Sequence, residues 1–378
     1  MSSGILPPPS SEPAPEHRKR RRRHPHERLV ALRSFIDRHR LPVLISCSIF
    51  LVLIASGIAY LLISSTPKPT PVVHAPPPPP PPIVSSSPLT GTRAKSEPVT
   101  NQAVPAVIIE NSPDARPQSG LQQAGVVSEA IAEGGITRFL VLYQESKPKL
   151  VGPVRSVRMY YVDWLTPYQA SVAHVGGSWQ ALKLVRGGKY RDIDQFFNAG
   201  SYWRSTDRYA PHNVYTSFKR LDALNKSKGY PPSTFSGWPR VDGKPADKPT
   251  ATNIKINISS ALFNTQYKYD AKNNRYKRYL AGAPHKDREK GAITPSVVIA
   301  MHVNMRIVNE DGPREQITTT GSGKATIFQN GTAQKVTWRK KSRSAPLEFI
   351  DTSGKAVELT RGQTWVAAVP NNGGSVSW

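Results

Sequence analysis

The sequence predicts an α+β protein: an N-terminal α/β domain with βαβ units, a C-terminal mostly antiparallel β domain, and one transmembrane helix ahead of both. Three observations carry this reading. A run without a single charge, Leu41 to Ile63, precedes the folded sequence. Strand and helix patterns alternate between residues 104 and 240. Beyond residue 250, short apolar segments follow one another with turn residues between them.

The charge-free run LPVLISCSIFLVLIASGIAYLLI (41–63) would extend about 34 Å as a helix, enough for a hydrocarbon core of about 30 Å. It has no polar face, as the helix of a soluble core would. Residues 1–40 carry a net +6, including the block HRKRRRRHPHER (17–28), and read as a disordered, basic cytoplasmic tail. Few cations follow the run before residue 100, so the positive-inside rule leaves the N-terminus in the cytoplasm and residues 64–378 outside. The chain is thus read as a single-pass plasma-membrane protein held by a signal anchor. RKRRRR also fits a nucleic-acid patch, but beside a span its topogenic role accounts for it, and no nucleic-acid partner is expected.

Leu44-Ile-Ser-Cys47 fits a bacterial lipobox. Against lipidation, about six apolar residues separate Arg40 from Cys47, fewer than the roughly 7–15 of a signal h-region, and the apolar run continues past the cysteine. Cys47 is the single cysteine, which excludes an internal disulfide and a Cys-built zinc site. Residues 64–103 form an extracytoplasmic linker whose prolines 76–82 make a stiff polyproline rod of about 22 Å.

In the domain spanning 104–240, VPAVIIE (104–110) reads as a buried strand and SGLQQAGVVSEAIAEGG (119–135) as a helix ended by Gly134. TRFLVLYQ (137–144) and QASVAHV (169–175) read as further strands. Helices are expected from Gly152-Pro153 to about Tyr168, from Trp179 to Val185, and near Thr216–Lys226. A linker-like stretch (237–251) follows. In the domain spanning 250–378, short strands run from NIKINIS to TWVAAV, with Asn330-Gly331 and Ser353-Gly354 as two-residue hairpin corners.

Of the net charge of +25, +19 lies beyond residue 40, which favours anionic partners such as a cell-wall polymer or anionic lipid. The stretch VGPVRSVR (151–158) focuses that charge. Val154, Val157, Tyr161, Trp164 and Tyr168 recur as one helix face, which places Arg155 and Arg158 near a helix N-terminus. The macrodipole there opposes cations, whereas the exposed backbone N–H groups attract anions. Two resolutions stand side by side: an external anion gripped bidentately, or internal carboxylates such as Glu129 and Glu133, four apart on their predicted helix.

Arg116 and Arg138 join Arg155 and Arg158 in the anion-binding set. Gly176, Gly177 and Ser178 add a backbone nest after a strand, and His212 and Asn213 lie in the irregular loop 202–213. If the strands are parallel neighbours, Gly152–Arg158 and His174–Ser178 share one rim. His174, Asp163 and Glu133 are the acid/base candidates, each with a bland alternative, a buried hydrogen-bonded histidine above all. GSGKAT (321–326) lacks the first glycine and the final Ser/Thr of a P-loop. No metal and no cofactor is expected.

ARPQSGL (115–121), EGGITRFLVLYQ (133–144), VGPVRSVR, HVGGS (174–178) and APHNVYTS (210–217) resemble the YerB-like lipoprotein family of bacteria. RYKRYLAGAPHKD (275–287), GSGKATIFQNG (321–331) and RGQTWVAAVP (361–370) are similar to that family's second domain. The resemblance implies an envelope-anchored, two-domain protein and supplies no catalytic residues. The chain departs from it in the anchor, where a membrane helix stands in place of a lipidated cysteine. In architecture the chain also loosely resembles the LytR–CpsA–Psr envelope phosphotransferases, whose arginines hold a polyprenyl pyrophosphate. Three functions follow: an envelope protein binding an anionic ligand, an enzyme acting on phosphate-linked glycans, or a scaffold doing neither.

Overall fold

The computed structural model describes residues 40–64, 86–93, 102–309 and 312–378. The basic tail before Arg40 and the polyproline run lie outside the described residues. The chain divides into two compact units, Met1–Pro80 and Pro81–Trp378.

In the first unit, α1 (Arg40–Ser64) is a single uninterrupted helix. Its stretch Leu44–Ser64 is long and apolar enough to cross a membrane. Cys47 lies exposed on this helix, which continues for several more turns to Ser64.

In the second unit the strands used below are, in chain order, β1 (Pro105–Glu110), β2 (Val126–Glu133), β3 (Ile136–Leu142), β4 (Ser171–Ala173), β5 (Arg191–Asp192), β6 (Asn253–Asn257), β7 (Thr265–Asp270) and β8 (Arg275–Leu280). They continue as β9 (Val297–Val303), β10 (Met305–Asn309), β11 (Pro313–Ile317), β12 (Gly321–Gln329), β13 (Thr332–Lys340), β14 (Glu348–Ile350), β15 (Thr364–Pro370) and β16 (Ser375–Ser377). The helices are α2 (Met159–Leu165), α3 (Trp179–Val185) and α4 (Phe218–Ser227).

Ten of these strands form one sheet in the order β14-β13-β12-β9-β15-β2-β3-β1-β4-β5. Segments on both sides of residues 237–251 therefore share a sheet. They join where β15 pairs in parallel with β2, Val127 facing Trp365, while its other edge pairs with β9. β1 and β2 each pair antiparallel with β3, and the sheet holds two parallel runs, β1-β4-β5 and β9-β15-β2. The connection β4–α3–β5 is a βαβ unit. A second sheet of five strands, Ala283–Pro284, β8, β7, β6 and β16, packs on the β9–β12–β15 region.

The largest correction to the sequence reading falls on residues 119–135, which hold a short 3-10 turn at Leu121–Gln123 and then β2 rather than a helix. Ala and Glu favour helix, but tertiary context overrides propensity here. β2 lies mid-sheet with both faces covered. Val126 and Ala130 enter the core beneath α2 and α3, and Val127 enters the opposite core with α4. Burial on both faces erases the alternation that marks a half-exposed strand.

The other elements follow their local signals. Ser217 caps α4, its hydroxyl accepting from the Arg220 N–H. Asn330 and Gly331 have φ of 58° and 80°, the paired left-handed residues a tight β12–β13 hairpin needs.

Candidate functional site

The arginine stretch folds differently from its helical reading. Residues 151–157 run extended, because three neighbours take up their backbone groups. The Val151 and Val154 N–H groups donate to Thr216 and Val214, Arg155 donates to Ile108, and Val157 donates to Gly176. The helix begins only at Met159, with Arg158 at its N-cap. Arg155 thus lies outside any helix, and the conflict with a helix dipole does not arise there. Tyr160 and Tyr161 then fix α2 to the sheet, their hydroxyls donating to the Ile131 and Arg138 carbonyls at 2.6 Å.

Gly152–Arg158 does not follow a strand parallel to β4, since the strand before it is β3, antiparallel to β1; it shares a rim with His174–Ser178 instead where Val157 bridges Gly177. Glu110 ends β1, His174 follows β4, and Asp192 ends β5. Carboxylates of the protein meet the arginines on it. Glu133 stands between two buried guanidinium groups, with Arg138 Nη2 at 2.9 Å and Arg158 Nη2 on its other oxygen. Arg314 Nη1 lies 3.9 Å from it. Glu110 takes Arg155 Nε at 3.3 Å and lies 3.0 Å from His212 Nδ1. Arg116 reaches no carboxylate in the described residues. It donates to Asn111 and to the Leu262 carbonyl, and stacks over Phe263 at 5.2 Å.

The glycine nest is likewise occupied from within. Gly176 N–H points at Asp194 Oδ1, 3.4 Å away, and Ser178 N–H donates to the Val157 carbonyl. A Cβ on Gly177 would lie 2.6 Å from Val157 Cγ1, so this turn packs against the arginine stretch. His174 has no exposed surface. Its Nδ1 is 2.7 Å from the Gly176 carbonyl and its Nε2 is 2.9 Å from Asp192 Oδ1, so both nitrogens are engaged within the protein.

His174, Asp192 and Asp194 also have the composition of a metal-binding trio. Asp194, however, already serves Arg186 and the backbone of Gly176 and Phe196. Asp163 accepts from Thr319 and Arg343, both at 2.6 Å, and ties α2 to the C-terminal segment. Asn213 accepts from Arg204 and donates to the Ser205 and Arg208 carbonyls, which closes its loop. None of the three acid/base candidates therefore presents an uncommitted reacting group.

Sequence reasoning missed the network beneath this rim. Arg278 on β8 is fully buried against Glu129 on β2, Nη2 to Oε2 at 2.8 Å, and its guanidinium lies 4.1 Å above the Trp365 ring. Its Nε donates to His285 Nδ1 at 2.9 Å, which leaves the imidazole proton on Nε2, donating to Gln118 Oε1 at 3.0 Å. Gln118 continues to Asn111, and Asn111 and Thr137 both reach Glu129 Oε1. Gln363 adds a strap, its amide donating to the Leu121 and Ala124 carbonyls. The motifs ARPQSGL, RYKRYLAGAPHKD and RGQTWVAAVP thus meet at one seam between the two segments.

Burial, then Arg278, then Arg116, hold the His285 imidazolium well below the ordinary histidine value of 6.5. Below about pH 6.5 the unfolded chain gains a proton that the native state refuses, so stability is full above that pH and falls beneath it by up to about 1.4 kcal/mol per unit from this group. Melting curves between pH 7 and 5 are expected to fall less steeply for His285→Asn than for the native chain.

The missed residues also include those of an open groove of about 900 Å³ along β9, β12 and β13, on the face that the five-stranded sheet covers in part, lined among others by His302, Lys324, Thr326, Lys335, Thr337 and Trp378. Their signal was available: Lys324 and Thr326, and Lys335 and Thr337, alternate along their strands and so share a face.

Comparison with known proteins agrees with this architecture. Residues 89–231 match the N-terminal domain, and residues 254–366 the C-terminal domain, of the DUF3048 proteins of unknown function. A protein of Bacillus subtilis (strain 168) named "Putative lipoprotein YerB" is 32% identical over 291 residues, covering 75% of this chain and 86% of the relative. The crystal structure of the YerB protein from Bacillus subtilis superposes with a TM-score of 0.69 at 30% identity, covering 78% of this chain and 99% of that one. With both domains matched in order and most of that relative covered, the chain belongs to the YerB-like DUF3048 family.

Proposed function

We propose that the chain is a membrane-anchored protein of the bacterial cell envelope, held by α1 as a single-pass signal anchor with its N-terminus in the cytoplasm. Its Pro81–Trp378 unit stands outside the membrane and binds phosphate-bearing polymers or lipids. The observation that carries this reading is the surplus of +19 beyond residue 40, which the internal carboxylates do not cancel. The lipoprotein name of the Bacillus subtilis relative supports the envelope setting, although an anchoring helix would serve here in place of a lipid. Within this reading Glu133, Arg138 and Arg158 form a frame. Ligand contacts from that rim fall to Arg116 and Arg155, which are only partly buried.

The test uses the full chain in detergent micelles. Poly(glycerol phosphate) and vesicles with or without anionic lipid serve as probes at low and high salt. Binding to either anionic probe that weakens steeply with salt is expected. No binding, or equal binding to neutral dextran, sinks the proposal. A labelled lipid-linked glycan precursor added to the same preparation separates binder from phosphotransferase, and no turnover is expected.

A further inference from the structure

We infer that the groove on β9, β12 and β13 is the docking site for an acidic glycan strand, an inference that rests on the anionic-ligand reading above and gives it a place. The hairpin register sets Lys324 opposite Thr337 and Thr326 opposite Lys335. The two lysines are therefore diagonal cross-strand neighbours on one face, about 7–8 Å apart at the backbone. Among the described residues neither lysine makes an ion pair or hydrogen bond. Adjacent like charges without a counter-charge repel, and an anion lying across both relieves that repulsion.

Asp351 is the carboxylate on the groove wall, and it is committed to its own turn, accepting from Ser353 and from the Lys355 N–H. The lysines thus differ from the rim arginines, three of which already face Glu133 or Glu110. The rest of the lining suits a polyhydroxylated chain. Thr318, Thr320, Ser322 and Thr352 bring hydroxyl groups to the wall, and Asn304 and Asn371 bring amides. Trp378, 44% exposed and set edge-on to Phe328 at 5.2 Å, provides an apolar platform at the rim. An aromatic surface beside many hydroxyl and amide groups matches a sugar's apolar face and its hydroxyl rim. Two cations select an acidic sugar chain over a neutral one. The volume falls in the upper part of the roughly 300–1,000 Å³ span of ligand sites.

The experiment compares three full-length chains in detergent micelles: native, Lys324→Ala/Lys335→Ala, and Lys286→Ala/Lys290→Ala. The last pair is exposed and outside the groove. Polygalacturonate, a chain of acidic sugars, is the probe, with dextran and anionic vesicles as controls. The groove variant is expected to bind the polymer roughly tenfold more weakly, the worth of two exposed ion pairs, while the control variant matches the native chain. Equal losses in both variants, or none in the groove variant, overturn the groove assignment and leave the anionic-ligand reading standing. A native chain that binds vesicles alone overturns the glycan assignment. A native chain that binds no anionic probe removes the anionic-ligand reading, and this inference with it.

Discussion

Replacing Arg278 with alanine is expected to destabilise the folded unit by about 3–5 kcal/mol, the cost of leaving one member of a buried ion pair unpaired. Glu129, 1% exposed, would lose its counter-charge and be left with the hydrogen bonds from Asn111 and Thr137. His285 Nδ1 would lose its donor, and the aromatic faces of Trp365, Phe139 and Tyr267 would line a void. A fall in Tm on the order of 10 °C follows for a unit of this size. The double substitution Glu129→Met/Arg278→Met should recover most of the loss, because replacing a buried pair by apolar groups of similar volume is often neutral or stabilising. Thermal melts of the three variants check this. A single substitution within about 1 kcal/mol of the native chain would show that the seam is not held by this pair.

The second large effect is expected at Glu133, the carboxylate shared by Arg138 and Arg158. Glu133→Gln keeps the shape and removes the charge, which leaves two guanidinium groups, each about 95% buried or more, facing each other. A loss of about 1–3 kcal/mol is expected, less than at Arg278 because Glu133 is 30% exposed and partly screened. The informative readout is the response to sulfate. An anion settling against the two guanidinium groups should raise the variant's Tm markedly more than that of the native chain, through binding to the folded state alone. Equal sulfate responses would mean that the arginines do not depend on Glu133 for their counter-charge.

Much of this was legible in the sequence, for reasons particular to each element. The charge-free run forms the uninterrupted helix α1, as its apolar composition favours. Trp179–Val185 lies where expected after the glycine turn, and Asn330-Gly331 makes the tight corner that its two residues favour. Internal carboxylates were one of the two resolutions foreseen for Arg155 and Arg158. What escaped was non-local. The pairing of Val126 with Thr364 joins remote segments and leaves no trace in any short window. Arg278 and His285 sit in a strand and turn rich in surface-type residues, and only the fold turns them inward. β2 hid behind its own burial. The groove lysines escaped because GSGKAT drew attention as a failed phosphate loop, when its strand alternation was the relevant feature.

The two DUF3048 segments form one body, joined by the β2–β15 pairing and the Glu129–Arg278 network. Calorimetry of the full chain in detergent tests it most directly. A single cooperative transition is expected for residues 81–378, shifted as a whole by Arg278→Ala. Two separate transitions in the native chain, with Arg278→Ala moving only one of them, would contradict it.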